Sequence, residues 1–292
     1  MASGAWVMFR QHFRSKKIKF TVCFALAFGS YWLAIYVQKK YLINRNSNAV
    51  AGISIPSINE QSSKTPLPPT QPEWKSPLIM KCPKANPDLR SRLLSMDLKL
   101  SEIKAHPSNY GERVKIDSFG QKLNPKPAVI VLHETVFDVN SAINTLLTPH
   151  PSDEDQVSYH TLVARSGEIV QLVPPSFRAY GAGHSAFKGR WIFYNKNLSG
   201  SINNFALHVS LETPEDGFND DLNHSGYSSA QYDALSRVLA DWMIRYQIAP
   251  EAITTHRHVD LAGARADPRS FNWLQLQKRL TALQLVCKNH NN

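Results

Sequence analysis

Apolar residues follow two different patterns along the chain, one continuous and one periodic. The continuous run covers residues 20–37, contains no charged side chain, and lies between Lys19 and Lys39. Eighteen helical residues span about 27 Å, close to the roughly 30 Å of a bilayer's hydrocarbon core. The run therefore predicts a transmembrane helix.

Charge on either side of this run predicts its orientation. Five Lys and Arg residues precede it and three follow it up to residue 45. The positive-inside bias makes residues 1–19 a basic cytosolic N-terminus, residues 20–37 an uncleaved signal anchor, and the remainder extracytoplasmic. A cleaved signal peptide is the alternative, but the nearest small-residue motif, Ala49-Val50-Ala51, lies more than ten residues beyond the run.

The periodic patterns lie further on, after residues 38–104, which are predicted to be a Pro-rich linker ending in a short helix. Eight prolines fall between Pro56 and Pro87, and such a segment acts as a semi-extended spacer. Residues 105–285 alternate strand and helix patterns. The predicted elements are strand 128–132, helix 141–147, hairpin strands 157–165 and 168–173, strand 205–212, a helix opened by the capping box Ser228-x-x-Gln231, strand 253–255 and helix 272–280.

Strands interspersed with amphipathic helices predict the fold class. We expect an α/β chain: a single domain with a central mixed β-sheet flanked by helices, preceded by one transmembrane helix and a Pro-rich linker. In strand 205–212, Leu207 and Val209 share one face, and His208 and Ser210 share the other.

A net charge of +10 is typical of nucleic-acid-binding proteins, but here the excess positive charge is concentrated in the N-terminal segment. Eight of the 33 Lys and Arg residues lie in the first 45 residues, which hold no Asp or Glu. The rest of the chain carries 25 basic and 23 acidic groups, so it offers no broad patch for phosphate attraction. No nucleic-acid partner is expected.

Two of the three cysteines flank the predicted domain. Cys82 comes just before it and Cys287 just after it, while Cys23 lies in the apolar run. Either a disulfide joins the two ends of the domain, which requires an oxidising compartment, or both thiols are free. The sequence leaves both interpretations open.

Three residues at strand ends and in a following loop could bind a metal ion. His133 directly follows the buried strand 128–132, His256 directly follows strand 253–255, and Asp267 comes eleven residues later. Two imidazoles and one carboxylate are a common ligand set of catalytic zinc, with one position left for water. From residue types alone, a strand-end His is more often an ordinary surface or hydrogen-bonded residue.

Four segments resemble a known family. They are VLHET at 131–135, VSYHTLVARSGEIVQLV at 157–173, RAYGAG at 178–183 and THRHVDLAGARADP at 255–268. They are similar, in order, to the zinc-dependent N-acetylmuramoyl-L-alanine amidases, which share a fold with peptidoglycan recognition proteins and phage amidase-type lysozymes. The resemblance covers about residues 127–280. It implies a zinc amidase-like catalytic domain that hydrolyses the amide between N-acetylmuramic acid and L-alanine in peptidoglycan.

The resemblance also assigns roles residue by residue. It implies that His133, His256 and Asp267 bind Zn²⁺. Arg265 matches the position of a cation that steadies the tetrahedral intermediate, and Tyr159 matches a tyrosine used for acid–base or positioning work. The implied substrate-binding residues are His160, Tyr180 and His184.

Three departures from the family pattern leave alternatives open. Ser210 stands where many relatives carry a glutamate base, so Glu212, two residues on and on the same face, is the candidate base beside Tyr159. Gly181 stands where relatives often carry a His, whose contact His184 could supply. His258 is an alternative to His256 as metal ligand, although His256 directly ends the strand.

These features predict a membrane-anchored, extracytoplasmic zinc amidase with peptidoglycan as its partner. Because Ser210 stands where many relatives carry the glutamate base, the alternative is a non-catalytic peptidoglycan-binding module on the same fold. A structural membrane protein would leave the strand-end histidines unexplained.

Overall fold

The computed structural model describes residues 64–79 and 82–287, which belong to a compact unit, Ser62–Asn292. The basic N-terminus and the apolar run 20–37 lie outside the described residues. Among the helices that are described, none combines the length and the apolar character needed to cross a membrane.

The described residues form strands and helices in alternation. The strands are β1 (Leu100–Glu102), β2 (Tyr110–Glu112), β3 (Val129–Glu134), β4 (Thr161–Val163), β5 (Ile169–Gln171), β6 (Phe177–Ala179), β7 (Ala206–Leu211) and β8 (Ile253–Thr255). The α-helices are α1 (Pro87–Ser95), α2 (Val139–Leu147), α3 (Ser229–Tyr246), α4 (His256–Val259) and α5 (Trp273–Ala282). The predicted strands, hairpin and long helices are confirmed, with bounds shifted by a few residues.

Six strands form one mixed sheet in the order β1-β5-β4-β7-β3-β8. The hairpin pair β4–β5 is antiparallel, and every other pair in this sheet is parallel. β2 and β6 form a separate antiparallel ribbon. The mixed sheet flanked by helices confirms the predicted α/β class.

The main hydrophobic core lies between one face of the sheet and helices α3 and α5. Ile130 and Leu132 of β3 and Leu207 and Val209 of β7 pack there and are essentially inaccessible to solvent. The opposite face of β7, which carries His208 and Ser210, is also fully buried. The alternation in 205–212 therefore separates two buried surfaces rather than an inner from an outer one.

Side-chain caps explain where the helices begin. The Ser228 hydroxyl accepts from Gln231 N and the Gln231 side chain accepts from Ser228 N, so the capping box that opens α3 is confirmed. The Asp138 side chain accepts from Ser141 N at the start of α2, and the Asn272 side chain accepts from Gln275 N at the start of α5. Each cap satisfies an amide that the first helical turn leaves without a partner.

The folded unit reaches further towards the N-terminus than the expected domain boundary at residue 105. Leu78 and Leu93 are fully buried, and β1 extends the sheet beside β5. Arg92 also pairs with the buried carboxylate of Asp233 in α3. Because these leucines are part of the buried interior, the end of the predicted linker belongs to the domain.

A disulfide joins Cys82 to Cys287, whose Cα atoms lie 5.4 Å apart. Of the two interpretations that the sequence left open, the structure shows the bridged one. The bond ties the segment before α1 to the segment that follows α5.

Candidate metal centre

Two neighbouring parallel strands bring His133 and His256 together. Leu132 of β3 is the register partner of Thr255 of β8, and each strand continues directly into its histidine. The two imidazole centroids are 4.6 Å apart. His133 is fully buried and His256 is 7% exposed, so the sheet fixes both rings at the edge where these parallel strands end.

Asp267 completes the cluster from the loop between α4 and α5. Its carboxylate lies 3.3 Å from His133 Nδ1 and 3.0 Å from His256 Nδ1, and its carbonyl oxygen accepts from Arg257 N. Burial alone would raise the pKa of Asp267, but hydrogen bonds from the two imidazoles outweigh it and hold the pKa well below its ordinary value. Burial likewise lowers the pKa of His133 to about 4. These shifts favour a neutral His133 imidazole and an ionised Asp267 carboxylate, the forms that bind metal.

The spacing of these donors fits a small divalent cation. One ligand atom from each of the three side chains lies within 4.8 Å of the others. Ligand atoms at about 2.0–2.1 Å from a tetrahedral zinc ion lie about 3.3 Å apart, close to the two separations from Asp267. Nitrogen and carboxylate donors in this ratio suit zinc, and three protein ligands leave a position for water or substrate.

Tyr159 and Arg265 lie beside the cluster. The Tyr159 ring is 4.9 Å from the His133 ring. Burial and the negative charge of Asp267 raise the pKa of Tyr159 well above its ordinary value, so its hydroxyl stays protonated and can donate. Arg265 is exposed, and its positive charge acts on both Tyr159 and His133. The structure thus brings five of the nine predicted site residues to one place.

A buried ion pair holds the loop that carries Asp267. The Glu134 carboxylate accepts from Arg269 N and Nε, and Arg269 in turn donates to the carbonyl of Gly217. His224 Nε2 lies 3.0 Å from the same carboxylate. Sequence reasoning missed Glu134, although its position directly after His133 on a buried strand was a signal that it needs a partner.

Glu212 does not join the cluster. One of its carboxylate oxygens accepts from Val139 N at the start of α2, and the other accepts from Arg165 N at 2.6 Å. Both oxygens are therefore occupied by backbone amides. Ser210, which lies opposite His133 in the β3–β7 register, is buried, and its hydroxyl has no hydrogen-bond partner among the described residues.

The structure separates the two candidate histidines that follow β8. His256 contacts Asp267, whereas the His258 ring packs 4.6 Å from the Trp74 ring and 6.1 Å from the Phe187 ring. The first turn of α4 points the two rings in different directions. His258 contributes no ligand atom to the cluster.

The three residues expected to bind substrate lie in different surroundings. His160 is buried, accepts from His208 N through Nδ1, and donates through Nε2 to Phe177 O. The Tyr180 hydroxyl accepts from Arg178. His184 is half-buried beside Trp191. His160 therefore has a role inside the fold, and His184 is the more accessible of the two histidines.

A groove of about 1130 Å³ lies away from the cluster. Val129, at the start of β3, and Phe205, before β7, line it together with Phe187 and Trp191. None of the three clustered residues is among the lining residues. Residues 187–191 thus border this separate groove.

Known proteins resemble this chain over about half of its length. A sequence profile described as N-acetylmuramoyl-L-alanine amidase matches residues 123–270, about half of the chain. The chain is 32% identical over 127 residues to the 1,6-anhydro-N-acetylmuramyl-L-alanine amidase AmpD of Citrobacter freundii, covering 43% of this chain and 58% of that protein. It is 29% identical over 169 residues to the N-acetylmuramoyl-L-alanine amidase AmiD of Escherichia coli, covering 54% and 55%. The match therefore spans less than two thirds of these relatives.

A crystal structure of a selenomethionine AmpD derivative aligns with a TM-score of 0.47 and 24% identity, covering 63% of this chain and 99% of that chain. The profile match includes His133, His256 and Asp267. The chain belongs to the N-acetylmuramoyl-L-alanine amidase family.

Proposed function

We propose that this protein is a zinc-dependent amidase that hydrolyses the bond between N-acetylmuramic acid and L-alanine in peptidoglycan. The observation that carries the proposal is the convergence of His133, His256 and Asp267, within 4.8 Å, in a chain of this family. The AmpD and AmiD relatives are named for this chemistry.

The residues around the cluster suit the hydrolysis of an amide. A zinc ion bound there would supply a Lewis acid that activates water and polarises the carbonyl. Tyr159, protonated and beside His133, would donate a proton to the leaving nitrogen. Arg265 offers a permanent positive charge for the oxyanion that develops on the carbonyl oxygen. Water adds its oxygen to the carbonyl carbon, the carbon–nitrogen bond breaks, and the free amine of L-alanine leaves.

The assignment of Tyr159 rather than Glu212 rests on their contacts. Both oxygens of Glu212 accept from backbone amides, whereas Tyr159 contacts the cluster itself. We therefore propose Tyr159 as the proton donor and Glu212 as a residue that fixes the start of α2 and the turn at Arg165. His184 is the proposed substrate contact, because it is half-buried beside Trp191.

A non-catalytic peptidoglycan-binding module is the second candidate. The specific observation in its favour is Ser210, which lies opposite His133 in the register at the position where many relatives carry a glutamate base. A domain of this kind would bind peptidoglycan without hydrolysing it.

Digestion of isolated peptidoglycan separates the two candidates. The purified full-length chain should release new L-alanine amino termini, a chelator should abolish the release, and added zinc should restore it. Release that persists in chelator would contradict the zinc mechanism. Sedimentation with peptidoglycan without any release would favour the binding module.

We further propose that residues 20–37 anchor the chain in the cytoplasmic membrane with the catalytic domain on the periplasmic or extracytoplasmic side. The absence of charge in this run and the basic residues before it support the anchor. The Cys82–Cys287 bridge is consistent with an oxidising compartment. Membranes washed with alkaline carbonate should retain the chain, and release into the wash would contradict the anchor.

A further inference from the structure

His208 lies directly behind the metal-binding imidazole of His133. It sits in the middle of β7 and is completely buried. Its Nδ1 is 2.9 Å from His133 Nε2, while His133 Nδ1, on the other side of the ring, faces Asp267 at 3.3 Å. The His133 ring therefore has one nitrogen in the metal cluster and one against His208.

This arrangement determines which nitrogen of each ring carries a proton. A neutral imidazole has one N–H donor and one lone pair. If His133 Nδ1 offers its lone pair to a cation, then its proton is on Nε2 and His208 Nδ1 must accept it. The proton of His208 is then on Nε2. Metal-binding histidines usually donate to a carboxylate, a carbonyl or water, and here the acceptor is a second imidazole.

The pairing of His208 with His133 leaves a buried nitrogen without a hydrogen-bond partner, and this unfavourable feature indicates that His208 serves the metal site. His208 Nε2 is buried and has no hydrogen-bond partner among the described residues. An unpaired buried donor is unfavourable, so an apolar side chain of similar size would suit the fold better at this position. The gain from His208 must lie in what its other nitrogen does for His133.

Gly181 leaves the space that the His208 ring requires, because glycine has no side chain. A Cβ atom added to Gly181 would lie 2.4 Å from both Cγ and Nδ1 of His208. The backbone at Gly181 does not have the positive φ that favours glycine. The glycine is therefore explained by the close approach of the imidazole and not by the path of the chain.

We propose that His208 is a positioning residue of the metal centre: when a cation replaces the His133 Nδ1 proton that faces Asp267, His208 accepts from His133 Nε2 and so holds the ring with Nδ1 towards the cation, and Gly181 makes room for it. The proposal rests on the metal site of the proposed function. It concerns the hydrogen bond that orients the His133 ring, and it adds no ligand to the cluster.

Two substitutions separate hydrogen bonding from packing. His208→Asn keeps an acceptor close to the position of Nδ1, and His208→Leu fills similar space without one. In the full-length chain, zinc affinity is measured by competition with a chromophoric chelator, coordination by the visible spectrum of the Co²⁺-substituted protein, and stability by unfolding of the metal-free protein. We expect His208→Leu to weaken zinc binding about 10- to 100-fold and to change the Co²⁺ spectrum, with the metal-free protein at least as stable as wild type. His208→Asn should restore most of the affinity.

Gly181→Ala provides an independent test of the same geometry. In the wild-type background the added methyl group should displace the imidazole and weaken zinc binding. In a His208→Ala background it should have little further effect, because the two changes act through one contact.

Three results would overturn the proposal. One is wild-type zinc affinity in His208→Leu. Another is a loss of affinity that merely follows a loss of metal-free stability, with an unchanged Co²⁺ spectrum, because that indicates a packing role. The third is failure of the wild-type chain to bind zinc at all. This result would remove the proposed function as well, and the measurement on wild type distinguishes it from the other two.

Discussion

Leu132 and Thr255 face each other across the parallel strands β3 and β8, and the metal cluster depends on this one pairing. The residue after each partner is a histidine, so the strand register places the two imidazoles side by side at the sheet edge. A shift of either strand by one residue would turn a ring to the opposite face. The two imidazoles therefore follow from the pairing of adjacent strands, while Asp267 comes from a loop.

Tyr159→Phe tests the proposed proton donor. Removing the hydroxyl should lower the rate of L-alanine amino-terminus release about 100-fold, within the range typical of general acids. Zinc content should not change, because the hydroxyl is not one of the clustered ligand atoms. Release at the wild-type rate would exclude Tyr159 as the donor.

Glu212→Ala tests whether Glu212 is structural. The change removes two hydrogen bonds from backbone amides to a carboxylate, so the free energy of unfolding in urea should fall by about 2 kcal/mol. Glu215→Ala is a matched control, since Glu215 is 84% exposed and pairs with the side chain of the same Arg165. Loss of activity without loss of stability in Glu212→Ala would instead identify Glu212 as the base.

The contrast between Tyr159 and Glu212 shows how far the sequence could predict the site. The strands that position His133 and His256 were predictable, because a continuous apolar run marks residues 128–132 and β-branched residues mark 253–255. The contacts of Glu212 were not, because they depend on Val139 and Arg165, each far from it in the chain. The choice between His256 and His258 likewise needed the direction of the first turn of α4.

Two further features were hidden for similar reasons. The sequence put His208 on the polar face of its strand, but the burial of that face and the contact with His133 depend on the β3–β7 pairing. Leu78 was assigned to a linker because prolines surround it, and its burial depends on a core assembled mainly from later parts of the chain. Local pattern predicted the elements, and tertiary pairing decided their contacts.

The disulfide should contribute measurably to stability. Cys82 and Cys287 close a loop with a sequence separation of 205, and a bridge of this kind restricts the unfolded chain. A Cys82→Ser, Cys287→Ser double variant should lose about 2–5 kcal/mol of unfolding free energy in urea. Addition of a reductant should lower the stability of wild type and leave the double variant unchanged. Equal stability of the two proteins would show that the bridge contributes nothing.

Buried histidine should make the metal-free protein sensitive to acid. Burial and the nearby charge of Arg113 lower the pKa of His160 to about 3, from an ordinary value of 6.5. Between these values the unfolded chain binds a proton there and the native chain does not, so stability falls as the pH falls. This group contributes up to about 1.4 kcal/mol per pH unit.

His160→Gln should make the pH dependence less steep by one proton between pH 6.5 and pH 4. The check is urea unfolding at several pH values in the presence of a chelator, for wild type and variant. An identical slope in the two proteins would show that His160 is not held neutral in the native state.

Zinc stoichiometry tests the central claim most directly. The purified full-length chain should contain about one zinc ion, and His133→Ala, His256→Ala and Asp267→Ala should each lose it. The His258→Ala control should keep it, because His258 packs against Trp74 outside the cluster. Retention of zinc in the first three variants, or its loss only in the His258 variant, would contradict the account.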